Sequence, residues 1–327
     1  MSKGRSGLVR FGISIVISVV LVRWLLGDLG IGAVVDAVRG AWLPGLALGV
    51  AVFWLMIALR VMRYRALLHE RVSLGALTLI TIVRGMVADL LPARIGTLVY
   101  VWLVTTRAAV PLPDALSSFF LALVLDMVVI APMLLLALVV VGFGIEVGGT
   151  LAVLAAALLA VSVLALMLLA PALRLAGRVL GAPTLTETAG QVVEVHHRGD
   201  LIPAVLLSCG VRITKFGAHY LILQSVLVPQ GVPWGSLGFF ESFLGVAGAE
   251  LSAMLPVSGL GAFGTWEAAF ALGFTHLGLT QDQAVLSGFA THVLTQLHDY
   301  GLGALALLVL MRPRRTRATA RPPDAMG

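Results

Sequence analysis

Long apolar runs separated by short polar breaks dominate the chain. A helix needs about 20 predominantly apolar residues to cross a bilayer. Runs of that kind cover about 8–27, 41–59, 114–143, 150–173, 201–228 and 283–311. Each predicts a transmembrane helix. Two further apolar stretches, 74–104 and 234–275, are broken in the middle by proline and glycine. They predict pairs of shorter helices.

The basic residues orient these elements. Lys3, Arg5 and Arg10 precede the first run, and Arg60, Arg63, Arg65 and Arg71 follow the second. Arg107 precedes the third, Arg174, Arg178 and Arg198 lie in a central loop, and Arg312, Arg314, Arg315, Arg317 and Arg321 close the chain. All fall on one side of the predicted topology, with Arg39 alone on the other. The positive-inside rule puts the N-terminus, central loop and C-terminus in the cytoplasm. No A-x-A-like cleavage site follows the first run, which is expected to be a retained span. The expected location is the cytoplasmic (cell) membrane, crossed several times.

This orientation constrains the two broken stretches. Residues 60–71 and Arg107 share a side, so 74–104 must enter and return on the cytoplasmic side. Its tip falls at Leu90-Leu91-Pro92 and Gly96. By the same logic 234–275 leaves and returns on the external side, with its tip from Met254 to Gly264. The tips are similar: "ADLLPARIG" at 88–96 and "SAMLPVSGLG" at 252–261. Span, span, hairpin, span occurs twice, first starting inside and then outside. Inverted repeats with broken helices near the midplane are a transporter pattern that marks the binding site. The expected fold is an all-α polytopic membrane protein. It has about six full transmembrane helices plus two re-entrant helical hairpins in an inverted repeat, with halves at about 8–143 and 150–311. A basic disordered tail at 312–327 completes this single integral membrane domain.

Composition agrees. Of 327 residues, 59% are hydrophobic and 12% charged, and the mean hydropathy is +1.03. A soluble domain carries about 25% charged residues. The net charge of +6 is explained by topology and does not call for nucleic acid. Cys209, the single cysteine, excludes an intramolecular disulfide framework.

Ionisable residues at membrane depth are functional candidates. Arg212 and Lys215 are three apart and share a helix face, roughly 17–21 Å into their span at the helical rise per residue. Together they fit a phosphate, by guanidinium fork and point charge. The alternative is pairing with Asp126, Glu241 or Glu250. Arg84 and Asp89 precede the first tip and Arg94 lies in it. Pro256, Gly259, Gly261 and Gly264 form irregular backbone, which is tolerated at membrane depth only within protein or beside a watery cavity. Glu267 falls in the first turn of the following helix, where it either caps the helix or receives a proton or cationic group. Gly259, Gly261 and Gly264 spell a G-x-G-x-x-G, but no strand precedes it, so dinucleotide binding is excluded. His196-His197 are expected to be solvated. Arg60, Arg63 and Arg65 are expected at the inside boundary. No zinc site, nucleophile elbow, P-loop or other catalytic motif is present, so neither cofactor nor metal is expected.

"LPVSGLGAFGTWEAAF" at 255–270, "GFATHVL" at 288–294 and "LLPARIG" at 90–96 resemble a flippase-like family. That family is related to the transmembrane region of lysylphosphatidylglycerol synthase. The resemblance covers about 10–311. It implies two re-entrant hairpins and handling of an aminoacylated phospholipid or a lipid-linked sugar precursor. It carries over to Pro92, Arg94, Gly96, Pro256, Gly261, Gly264, Glu267 and His292. Two positions depart: Gly96 is followed by Thr97, and Tyr100 stands where the family often has arginine. The synthases' soluble aminoacyltransferase domain is absent from this chain, so lysyl transfer by it alone is not expected. The leading expectation is a lipid flippase or lipid-binding transporter, not an enzyme. Arg84, Arg94, Arg212 and Lys215 would hold a head group, with Asp89, Asp126, Glu250, Glu267 and His292 as cavity acids and polar groups. A lipid-modifying enzyme or glycosyltransferase is the expected partner. The alternatives are a non-transporting member of a glycolipid or envelope assembly, or a membrane transferase acting on a lipid carrier.

Overall fold

Proline and glycine punctuate the helices, and the apolar runs between them set helix length. In the computed structural model the described residues are 12, 15–16, 18–27, 29–91, 96–142, 145–253 and 260–312. Helix α1 (Ser18–Leu26) meets α2 (Gly30–Arg39) at a bend of 82°. Then come α3 (Leu43–Leu67), α4 (Leu74–Leu90), α5 (Val99–Ala108) and α6 (Leu112–Val141). The second half holds α7 (Ile145–Leu180), α8 (Pro183–His197), α9 (Leu201–Leu227), α10 (Phe239–Ser252), α11 (Thr265–His276) and α12 (Gln281–Met311). The described residues contain no strand.

Start signals are local. Pro44 stands at the first turn of α3 and Pro113 at that of α6, where a missing N–H costs nothing. Thr280 caps α12: its hydroxyl accepts from the Gln283 N–H at 3.2 Å, and its own N–H donates to the Gln283 side chain at 3.1 Å.

Five helices are long and apolar enough to span a bilayer: α3, α6, α7, α9 with its short continuation, and α12. The bent α1–α2 pair makes a sixth if its two arms count as one span. The five long helices match the expected spans at 41–59, 114–143, 150–173, 201–228 and 283–311, while much of the expected first span, about 8–27, lies outside the described residues. Its described part, α1, is followed by a sharply angled second arm, α2. The segment 174–198, expected as a loop, is helical. Helix α7 continues to Leu180, and α8 folds back to bury Thr188, Ala189, Val192 and Val195 against α6 and α7. Its apolar positions at spacings of three and four make one face. His196 and His197, at its end, are exposed as expected.

Helices α4 and α5 form one packed pair, and α10 and α11 another. Their packing is reciprocal when α3–α6 is matched with α9–α12. Helix α3 lies along α9, α4 packs on α12 as α10 packs on α6, and α5 meets α6 as α11 meets α12. Gly96 shows how the first pair closes. A Cβ there would run into the backbone of Val87 and Ala88 near the end of α4. Only glycine permits that approach.

The break between α10 and α11 contains Gly261 at φ +60° and Gly264 at φ +92°. Both values suit glycine. Pro92, Arg94, Pro256 and Gly259 lie outside the described residues, as does the expected tail beyond Arg312.

Candidate functional site

Helices α3, α4, α9, α10 and α12 and the start of α11 enclose a cavity with two lobes. Both lobes are lined by Phe53, Ala88, Asp89, Lys215 and Asp299. The first adds His219, Glu250, Gly261, Trp266, His292 and Gln296. The second adds Arg60, Thr81, Arg84 and Thr97. Charged groups at this depth are costly, and they persist where they face a cavity or one another.

Arg212 and Lys215 share a face of α9 but reach different partners. Lys215 pairs with Glu250 near the end of α10. It thereby ties α9 to α10. Arg212 pairs with Asp126 of α6 at 3.0 Å. Asp126 also accepts from Arg63 of α3 at 2.5 Å, and Arg63 donates to the Ser208 hydroxyl at 3.1 Å. One carboxylate thus holds two arginines from two helices. Two of the alternatives foreseen from the sequence are the pairs that form. Asp126 and Arg212 are outside the cavity lining, while Arg84, Asp89, Lys215, Glu250, Gly261 and His292 belong to it.

Glu267 is fully buried and does two jobs. Its Oε2 accepts the Gly264 N–H at 2.6 Å, closing the first turn of α11. Its Oε1 accepts from His292 Nδ1 at 2.5 Å. The imidazole is stacked against Phe263 at 4.5 Å and lies 4.7 Å from the Trp266 ring. On its other side His292 Nε2 lies 2.9 Å from Gln296 Nε2, and Gln296 Oε1 has no hydrogen-bond partner. As placed, the amide nitrogen of Gln296 faces Nε2. Rotating the amide by half a turn would present Oε1 to Nε2 instead.

Arg60 and Arg63 are corrected from boundary residues to interior ones. Arg63 is fully buried and Arg60 lines the cavity. The reason is that α3 runs on to Leu67, placing both inside the helix with apolar residues on either side. Arg65 and Arg71 remain at the edge, paired with Glu70 at 3.3 Å and Asp114 at 2.6 Å. Arg60, Thr81, His219 and Asp299 were missed as site residues. The signal was present for Arg60: it lies three residues from Arg63, within the apolar pattern. Tyr100, which replaces the expected arginine, is buried, stacks on Tyr64 at 4.2 Å and hydrogen-bonds Ser118 at 3.0 Å.

The fold and cavity define a polytopic helical membrane protein with a charged chamber among its helices. The chain matches the family model for the lysylphosphatidylglycerol synthase TM region over residues 11–318, and it belongs to that family. This makes it a membrane protein related to lipid metabolism or transport. No match was found among curated proteins or among solved structures.

Proposed function

We propose that this protein is a lipid flippase or lipid-binding transporter that moves a phospholipid or lipid-linked saccharide precursor across the cytoplasmic membrane. The supporting observation is the two-lobed cavity, where Asp89, Lys215 and Asp299 stand at the junction of a cationic and a mixed polar chamber. A lipid head group brings charge to membrane depth. Such a chamber replaces the water it loses. Its acyl chains can stay in the apolar surroundings.

In this reading α4–α5 and α10–α11 are re-entrant hairpins with their breaks at the chamber, and the N- and C-termini are cytoplasmic. The reciprocal packing of α4 on α12 and α10 on α6 suits an inverted repeat, the architecture of alternating access. The Lys215–Glu250 pair couples α9 to the second hairpin. It must open when a head group takes either partner. The protein works as a carrier, not an enzyme, and its partner is a lipid-modifying enzyme or glycosyltransferase.

Proteoliposomes holding fluorescent phospholipid in both leaflets test this reading. With wild type, inner-leaflet lipid moves to the outer leaflet and is quenched there by an added membrane-impermeant quencher. Lys215→Gln leaves Glu250 without its cation and is expected to slow exchange at least tenfold, an effect of about 1.4 kcal/mol or more. Exchange by the folded wild type no faster than in empty vesicles refutes the transport reading.

A further inference from the structure

The second lobe has a charge imbalance. Arg60 comes from α3 and Arg84 from α4, and the two guanidiniums line the same space. Their charged surroundings include Arg63, Arg212 and Asp126. Asp126 is already shared between Arg63 and Arg212. Among the described residues, no carboxylate forms an ion pair with Arg60 or Arg84. Arg84 instead lies over the Tyr64 ring at 5.9 Å, and its Nε is buried without a hydrogen-bond partner. Arg63 and Arg212 thus take up Asp126 outside the lining, and Arg60 and Arg84 are left as two guanidiniums of the lobe with no ion pair among the described residues. The other charges of the lobe, Asp89, Asp299 and Lys215, stand where the two lobes meet. An uncompensated charge at membrane depth is destabilising unless a ligand completes it.

A second observation points the same way. Thr81, 1% exposed, lines this lobe and its hydroxyl has no partner. A helical threonine commonly satisfies its hydroxyl by bonding back to the carbonyl four residues earlier. Thr78, three residues before it, does so to Leu74 at 2.8 Å. Thr81 does not, and is left as an unused donor beside two arginines.

We propose that Arg60, Arg84 and Thr81 form a seat for a phosphate group. Two guanidinium forks and a hydroxyl suit a tetrahedral oxyanion, since arginine grips phosphate oxygens in pairs. The seat deepens the transport reading and rests on it for one point, that the phosphate belongs to a lipid. It assigns the substrate's phosphate to the α3–α4 side and leaves Arg212 in structural pairing with Asp126. A group attached to the phosphate then extends toward Asp89, Lys215 and Asp299.

The test measures binding to purified full-length protein in nanodiscs of a neutral lipid. The probes are short-chain phosphatidylglycerol, diacylglycerol with the same chains, and inorganic phosphate. Phosphatidylglycerol is expected to bind, and R60Q/R84Q to weaken it at least tenfold. R65Q/R178Q, which removes two guanidiniums outside the cavity, should leave it unchanged. Diacylglycerol binding should not distinguish the variants. Melting supplies a readout that a merely structural role would move the other way. R60Q/R84Q should melt no lower than wild type, because it removes half-buried charge that has no ion pair among the described residues.

Full phosphatidylglycerol affinity in R60Q/R84Q overturns the seat and leaves the lipid reading standing. Phosphate binding that is lost in R60Q/R84Q, without any lipid binding by wild type, supports the seat and overturns the lipid source. Binding of neither probe overturns both. A large fall in melting temperature with unchanged affinity also overturns the seat.

Discussion

Asp126→Asn is a sharp test of how the interior charges are arranged. The substitution keeps shape and removes charge. Asp126 lies between Arg63, which is fully buried, and Arg212, which is 8% exposed. Both ion pairs end on it, at 2.5 and 3.0 Å. Once the carboxylate is gone, Arg63 retains the Ser208 hydroxyl, a neutral acceptor. Arg212 loses its ion pair with Asp126 altogether. Breaking a buried pair from one side costs roughly 3–5 kcal/mol, because a charge is stranded. Here two are stranded, so the upper end applies even with Asp126 partly accessible.

At a few degrees per kcal/mol, the melting temperature of detergent-solubilised protein should fall by on the order of 10 °C. Arg212→Gln should behave quite differently. Arg63 still neutralises Asp126, and one excess cation disappears, so its melting temperature should stay within about 2 °C of wild type. Size-exclusion profiles of heated samples measure both. The diagnostic quantity is the asymmetry. If Arg212→Gln is as damaging as Asp126→Asn, the two-to-one arrangement is wrong.

Gly96→Ala and Glu267 variants test the two breaks. Gly96→Ala pushes a Cβ into the backbone of Val87 and Ala88, which cannot yield as a flexible side chain would. A loss of about 1–3 kcal/mol is expected, visible as a lower melting temperature; an unchanged value contradicts the close approach of Gly96 to the end of α4. For Glu267, the amide in Glu267→Gln still accepts the Gly264 N–H. His292 can change tautomer and Gln296 can turn over, so every group stays satisfied. Glu267→Ala strands the Gly264 N–H and His292, at a cost of about 1–3 kcal/mol. Equal melting temperatures for the two variants would refute the capping role. Lower lipid exchange in a stable Glu267→Gln would separate its charge from its cap.

The helical membrane architecture was legible from the chain because it depends on local facts. Apolar length decides what can span a bilayer, and proline and glycine decide where backbone hydrogen bonding stops. These place α3, α6, α7, α9 and α12 and the breaks after Leu90 and Ser252 with little reference to neighbours. Glu267 was legible as an N-terminal cap for the same reason: the bond spans three residues. Segment 174–198 was not, because its single apolar face becomes helical by packing on α6 and α7.

The electrostatic plan was decided by tertiary structure. Arg212 and Lys215 share one face of α9, yet α6 offers an acid to one and α10 offers an acid to the other. Arg60 and Arg63 resemble an inside boundary in sequence, but α3 carries both into the interior, one to the cavity and one to Asp126. A charge near the end of an apolar run has the same local pattern whether it meets water, a carboxylate or a chamber. Which it meets depends on helices distant in sequence, and local pattern carries no record of that distance. Spacing along the chain determined which charges share a helix face, and only the packing of α3, α4, α6, α9 and α10 decided which are neutralised and which line the cavity.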